Sequence, residues 1–162
     1  MAANMHLKFG DIAGEDKTEG YEGQIIVLGW SFSAKQPATM HNGGGGGASS
    51  VDVEDVTVVK YVDKASPNLF KLCCNGKHTD LAELFVQKAG GDQLEYLHIT
   101  MNECIISSYE VGESQGSNEQ IKETIKINCA RMKVEYTPQE GVGSGAGGVT
   151  GGWDMAVTKE YA

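Results

Sequence analysis

The sequence predicts a mainly β domain, a barrel carrying one short helix, and three features predict it. Apolar and polar residues alternate with period two along most of the chain, the mark of strands that bury one face. One long patterned segment changes parity partway along, as a strand that bends to close a barrel does. A single stretch carries both the start and the stop signals of a helix.

The elements follow in order. Met5–Phe9 reads as the opening strand. In QIIVLGWSFSAKQ the alternation places Ile26, Leu28, Trp30, Phe32 and Ala34 on one face, expected to be core. Val27, Gly29, Ser31, Ser33 and Lys35 fall on the other, small and polar face, expected to meet water or another subunit. Further strands are expected at Val51–Val62, Leu84–Lys88, Glu95–Met101, Cys104–Val111, Glu119–Tyr136 and Trp153–Thr158. Within Glu119–Tyr136 the apolar set runs Ile121, Ile125, Ile127, Cys129 and then shifts to Met132, Val134, Tyr136, which predicts a β-bulge near Ala130–Arg131. The helix lies in DKASPNLFKLCCNGKH, with Ser66 as expected N-cap, Pro67 at the first helical position and Gly76 as the stop.

Two stretches have no periodicity: 41–50, with Gly43 to Gly47 in a row, and 141–152. They hold five and seven of the 22 glycines and are expected to be mobile loops of one domain spanning 1–162.

The totals narrow the function. A chain of 162 residues can bury its own core without a disulfide or metal staple. A net charge of −9 and a pI near 4.8 argue against nucleic acid or an anionic membrane as main partner, because phosphate binding needs a basic patch. No stretch is long and apolar enough to insert in a membrane, and MAANMHLKFGD lacks a basic segment followed by an apolar run. The expectation is a protein folded in a cytoplasm that, if exported, leaves without a signal peptide. The four cysteines, Cys73, Cys74, Cys104 and Cys129, show no CxxC spacing and are expected to be free thiols in apolar surroundings.

No catalytic motif stands out. Gly143 to Gly148 matches GxGxxG as a string, but no helix follows it, so it is no dinucleotide cradle. His6, His41, His78 and His98 lack ligand spacing, and no GxSxG elbow occurs. No catalytic residue, metal site or cofactor is assigned. Patterned strands, a polar second face and glycine-rich loops describe a scaffold whose edges pair with copies of itself.

Several stretches resemble the haemolysin-coregulated protein family, the tube subunits of bacterial type VI secretion systems. They are the opening strand with GDIAGE, VLGWSFS, MHNGGGGGA, VTVVKYVDKASPNLFKLCCNGKH, FVQKAGGDQLEYLHITMNECIISSYEVGES and VEYTPQ, together most of residues 5 to 139. The resemblance implies a β-barrel of two packed antiparallel sheets with one helix, similar to phage tail-tube proteins. It implies hexameric rings that stack into a tube, carry effector proteins in the lumen and are propelled by a contractile sheath with its spike, so that the subunit is itself secreted and is not an enzyme. Val27, Gly29, Ser31 and Ser33 become candidates for the lumen, where cargo binds. Met40, His41, Asn42, Gly43, Gly44, Gly45, Gly46 and Gly47 resemble the family's extended loop at the ring-to-ring surface. The resemblance does not extend into the tract 141–152. The competing reading is a monomeric barrel enclosing a small molecule.

Overall fold

The computed structural model describes residues 3–37, 50–90, 93–113, 115–116, 119–138 and 147–161, and within them the alternation becomes strands paired antiparallel throughout. In chain order these are β1 (Ala3–Phe9), β2 (Ile25–Val27), β3 (Gly29–Ser31), β4 (Ala34–Lys35), β5 (Asp52–Val53), β6 (Val56–Tyr61), helix α1 (Ser66–Asn75), β7 (Thr79–Lys88), β8 (Glu95–Gly112), β9 (Lys122–Tyr136), β10 (Val149–Asp154) and β11 (Lys159–Glu160). The candidate loop residues Met40 to Gly47 lie outside the described residues.

The ladders run full circle. β1 pairs β7, β7 pairs β8, β8 pairs β9, β9 pairs β6, and β6 pairs β3. β3 continues through Leu28 into β2, which returns to β1, and the Leu28 N–H donates to the Val59 carbonyl at 2.8 Å. Residues 25–31 therefore serve two neighbours in turn. That handover explains a departure from the expected faces. Ile25 and Val27 are buried against β1, whereas Ile26 is 48% exposed; after the turn at Leu28 the inward set becomes Trp30 and Phe32. Val27 is thus core and is withdrawn from the lumen candidates, while Ile26, Leu28 and Ala34 leave the predicted core. A period-two pattern read across the step averages two strands of opposite parity.

Other boundaries shift for similar reasons. The expected strand Val51–Val62 is two, β5 and β6, because the chain turns from β4 to β9 at Glu54–Asp55. The strands expected at Glu95–Met101 and Cys104–Val111 are one, β8, and β7 begins at Thr79 rather than Leu84. β9 begins at Lys122, and its parity does change at Ala130–Arg131, but without the expected extra residue. The register is the same on both sides, Asn102 facing Arg131 and Cys104 facing Cys129, because the opposite strand switches parity at the same level through Glu103, whose φ is 52°. The register shift in this ladder lies between Ile106 and Ser108.

The tract 141–152 is not a loop to its end. β10 starts at Val149, not Trp153, and residues 155–158 form a turn before β11. A Cβ at Gly152 would collide with the Tyr161 carbonyl, so this glycine permits a close backbone approach rather than mobility.

Helix α1 packs Leu69, Leu72 and Cys73 on the core at spacings of three and four residues. It stops at Gly76 in the left-handed conformation (φ 64°), whose N–H donates to the Leu72 carbonyl at 3.0 Å. Its N-cap is Ala65, not Ser66, and the Ala65 N–H donates to the Asp63 carboxylate at 2.9 Å. Ser66 is turned inward for a different task. The barrel interior is filled by side chains including Leu7, Phe9, Ile25, Val56, Val58, Leu84, Ile99, Met101, Ile125 and Ile127, each at most 1% exposed.

Candidate functional site

Two outward surfaces flank the β8–β9 ribbon, and they differ in kind. On β3, β6, β9 and β8, cross-strand neighbours place Ser31 beside Thr57, Thr57 beside Lys126 and Lys126 beside Ser108. The next row is Gly29, Val59, Thr124 and Glu110. Ser31 and Ser33 are exposed and Gly29 is half-buried, so three of the four predicted face residues share this side and Val27 does not. Short hydroxyl side chains on a sheet offer hydrogen bonds with little apolar area, a surface that contacts a partner without holding it irreversibly. Sequence reasoning missed Thr57, Thr124, Lys126 and Ser108, because only the ladder register brings them beside Ser31.

The second surface lies on β1, β7, β8, β9 and β10, where one row runs Ile26, His6, Phe85, His98, Glu135 and Thr150. Segment 11–24 folds over it and brings in Asp16 and Tyr21. Rings stack across the row: His6 on Tyr21 at 4.0 Å, Tyr21 against Phe85 at 5.5 Å, and Phe85 on His98 at 4.6 Å. His6 Nδ1 meets the Asp16 carboxylate, both buried. Burial opposes the Asp16 charge, but the Thr18 backbone N–H and hydroxyl and the His6 ring outweigh it and hold its carboxyl below the usual 3.8. His98 reaches Glu83 and Glu135 at 2.9 Å each and Glu95 at 3.9 Å, and Tyr21 donates its hydroxyl to Glu95 at 2.7 Å. Burial, then the Glu95 carboxylate, push the Tyr21 hydroxyl well above 10.

At the far end of the ribbon, under α1, charge is sealed from water. Lys60 and Glu123 have fully buried side chains and pair directly. Lys60 also donates to Asp63 at 2.9 Å and to the Tyr61 carbonyl at 2.8 Å. Ser66 accepts from the Asp63 N–H at 2.9 Å and donates to Glu123 at 2.6 Å, and Tyr109 donates to the other Glu123 oxygen. Burial, then Glu123, push the Tyr109 hydroxyl up to about 12. The pair closes the space between helix and barrel, and both of its side chains are out of contact with solvent.

Two clefts among the described residues open to solvent. One of about 360 Å³ lies where β6 and β10 part from β9, lined by Asp52, Glu54, Asp55, Cys129, Met132 and Met155. Another of about 550 Å³ lies beside the end of α1 and includes His78. Among the described residues no three His, Cys, Asp or Glu side chains are grouped to hold a metal, and no helix is long and apolar enough to cross a membrane. Of the thiols, Cys104 and Cys129 are buried, Cys73 is half-buried and Cys74 exposed, and all four are free.

Comparison with known proteins adds family to geometry. A family model described as "Type VI secretion system effector, Hcp" matches residues 6–136. The chain is 43% identical to Protein hcp1 of Pseudomonas aeruginosa over 157 residues, 96% of each. Its fold is similar to the crystal structure of Hcp1 from Salmonella typhimurium, with a TM-score of 0.83 and 34% identity over 99% of this chain and 100% of that one. It is also similar to a structure of a type six secretion system protein, with a TM-score of 0.93 and 25% identity over 99% and 100%.

Proposed function

The chain belongs to the Hcp family of type VI secretion proteins, and from that premise we propose that it is a structural subunit, not an enzyme, that closes into six-membered rings. The rings stack into the inner tube of the secretion machine, hold effector proteins in the lumen, meet sheath and spike, and leave the cell with their cargo. The observation that carries this is the near end-to-end match to family members of the same length, on a barrel whose interior is already filled. A filled interior favours a surface that works from outside over a barrel that encloses a small molecule.

In this reading Gly29, Ser31 and Ser33, with their ladder neighbours Thr57 and Lys126, line the lumen. Met40 to Gly47 lie at the ring-to-ring contact. A head-to-tail contact between identical subunits closes into a ring where its rotation closes, and a second one between ring faces builds a filament. Negative-stain imaging of the purified protein tests this, with light scattering after size exclusion. Hollow annuli of about six protomers are expected. Solitary particles at every protein concentration would overturn the proposal.

A further inference from the structure

We propose that Cys104 and Cys129 are a latent cross-strand disulfide, closed by hydrogen peroxide once the protein is outside a reducing compartment. The change of compartment rests on the proposed secretion of the subunit; the chemistry of the pair does not.

Three observations bring the thiols together. Cys104 on β8 and Cys129 on β9 are direct partners in the antiparallel ladder. Such partners have Cα atoms about 4.5–5.5 Å apart, inside the range of about 4.4–6.8 Å that a disulfide spans. Both side chains also point to the same, core side: Cys104 is 0% and Cys129 8% exposed. Finally, Cys129 forms part of the wall of the 360 Å³ cleft between β6 and β10 and keeps a small exposed area, whereas Cys104 is fully buried, so a small oxidant approaches the pair from the Cys129 side. The row borders a break in the ladders, because Glu103, with φ 52°, is skipped in its pairing with both β7 and β9. Local opening at such a break gives the sulfurs room to turn toward each other.

The step balances. The Cys129 thiolate attacks one peroxide oxygen, the O–O bond breaks, and hydroxide leaves to be protonated to water, forming a sulfenic acid. The Cys104 thiolate attacks the Cys129 sulfur, the S–O bond breaks, and a second hydroxide leaves as water. Two thiols are oxidised, one peroxide is reduced, and one S–S bond forms. Burial, then Asp55, raise Cys129 to about 11; burial, then the neighbouring Cys129, raise Cys104 to about 12. Little thiolate exists near neutral pH, so this is a slow lock and not a rapid sensor. A bond between residues 104 and 129 staples the two longest strands across a loop of about 25 residues.

The test uses the folded, full-length chain with Cys73→Ser and Cys74→Ser to prevent exchange. It is treated with hydrogen peroxide, then denatured, alkylated, digested and mapped by mass spectrometry. The expected product has lost two hydrogens, carries a linked Cys104–Cys129 peptide, and shows a Tm higher by about 5–10 °C that a phosphine reductant reverses. With Cys104→Ser added, Cys129 stops at the sulfenic acid and is trapped by dimedone. Two thiols that stay alkylatable, or a sulfinic Cys129 beside a free Cys104 in the parent chain, would overturn the proposal. Ring formation does not enter the readout, so this result and the imaging of annuli fail or succeed separately.

Discussion

The β8–β9 ribbon carries charge at both of its ends, and the two ends treat it differently. Under α1, Lys60 and Glu123 are fully buried, and Asp63, Ser66, Tyr109 and the Tyr61 carbonyl supply their remaining hydrogen bonds. Near Tyr136, His98 sits 23% exposed among three glutamates that are 19–35% exposed. Water screens the second cluster and cannot reach the first. Removing one partner of a sealed pair strands a charge in low dielectric, whereas a wet pair loses only a screened attraction. Two charge clusters at opposite ends of one ribbon therefore differ in worth by several-fold.

The largest expected effect follows from the sealed end. Glu123→Ala should destabilise the chain by about 3–5 kcal/mol in chemical denaturation, since Lys60 loses its fully buried partner and keeps only Asp63, while Ser66 and Tyr109 lose their acceptor. The double variant Lys60→Met, Glu123→Leu should recover most of that loss. If Glu123→Ala costs less than about 1 kcal/mol, the site is wetter than its geometry and the contrast collapses.

Acid and alkali should separate the two regions next. Tyr109, near Glu123, titrates at about 12 folded against 10 unfolded, so its contribution is complete below pH 10 and is lost as pH rises toward 12. The two core thiols, at about 11 and 12 against 9, add to the same alkaline loss from pH 9 upward. Asp16, on the His6 surface, is held below 3.8, so its contribution is complete well above that value and is lost as pH falls through the depressed one. Tyrosine ultraviolet titration together with pH-dependent unfolding should show Tyr109 ionising late and in step with lost structure. Ionisation of all tyrosines near 10 would refute the burial of this site.

Glu135→Gln belongs to the wet end and should cost about 0–1 kcal/mol, with the loss shrinking further as salt rises. A loss of several kcal/mol, insensitive to salt, would make the two ends equivalent. Both clusters hid in the sequence for one reason: their main pairings, Lys60 with Glu123 and His98 with Glu83 and Glu135, join residues distant along the chain. Each still left a trace. Val56, Val58 and Lys60 share a face, as do Glu123, Ile125 and Ile127, so one charge ends each apolar row. A charge on an apolar face asks for a partner. The opening strand through Phe9 (though it starts at Ala3, not Met5), the helix stop at Gly76 and the core thiols were legible because local period and turn chemistry decide them. β10 was not, since Val149-Thr-Gly-Gly reads as loop until Tyr161 is seen lying against Gly152. Nor was the face of Val27, because residues 25–31 change partners in mid-run and no local pattern records that.

That change of partner sets up the smallest effect. Ser31→Gln places a larger polar side chain on an exposed position of β3 and should move stability by no more than about 0.5 kcal/mol. Val27→Gln, four residues earlier, forces an amide into the core and should be far more damaging. Had the alternation run unbroken from Gln24 to Gln36, the two substitutions would behave alike, so equal denaturation midpoints for both would restore the single continuous strand. With folding intact, Ser31→Gln also tests the proposed lumen: if β3 lines it, co-purification of an effector with the proposed rings should fall while the rings persist. Unchanged retention would move the cargo surface off β3 and leave the barrel, its sealed ion pair and its family untouched.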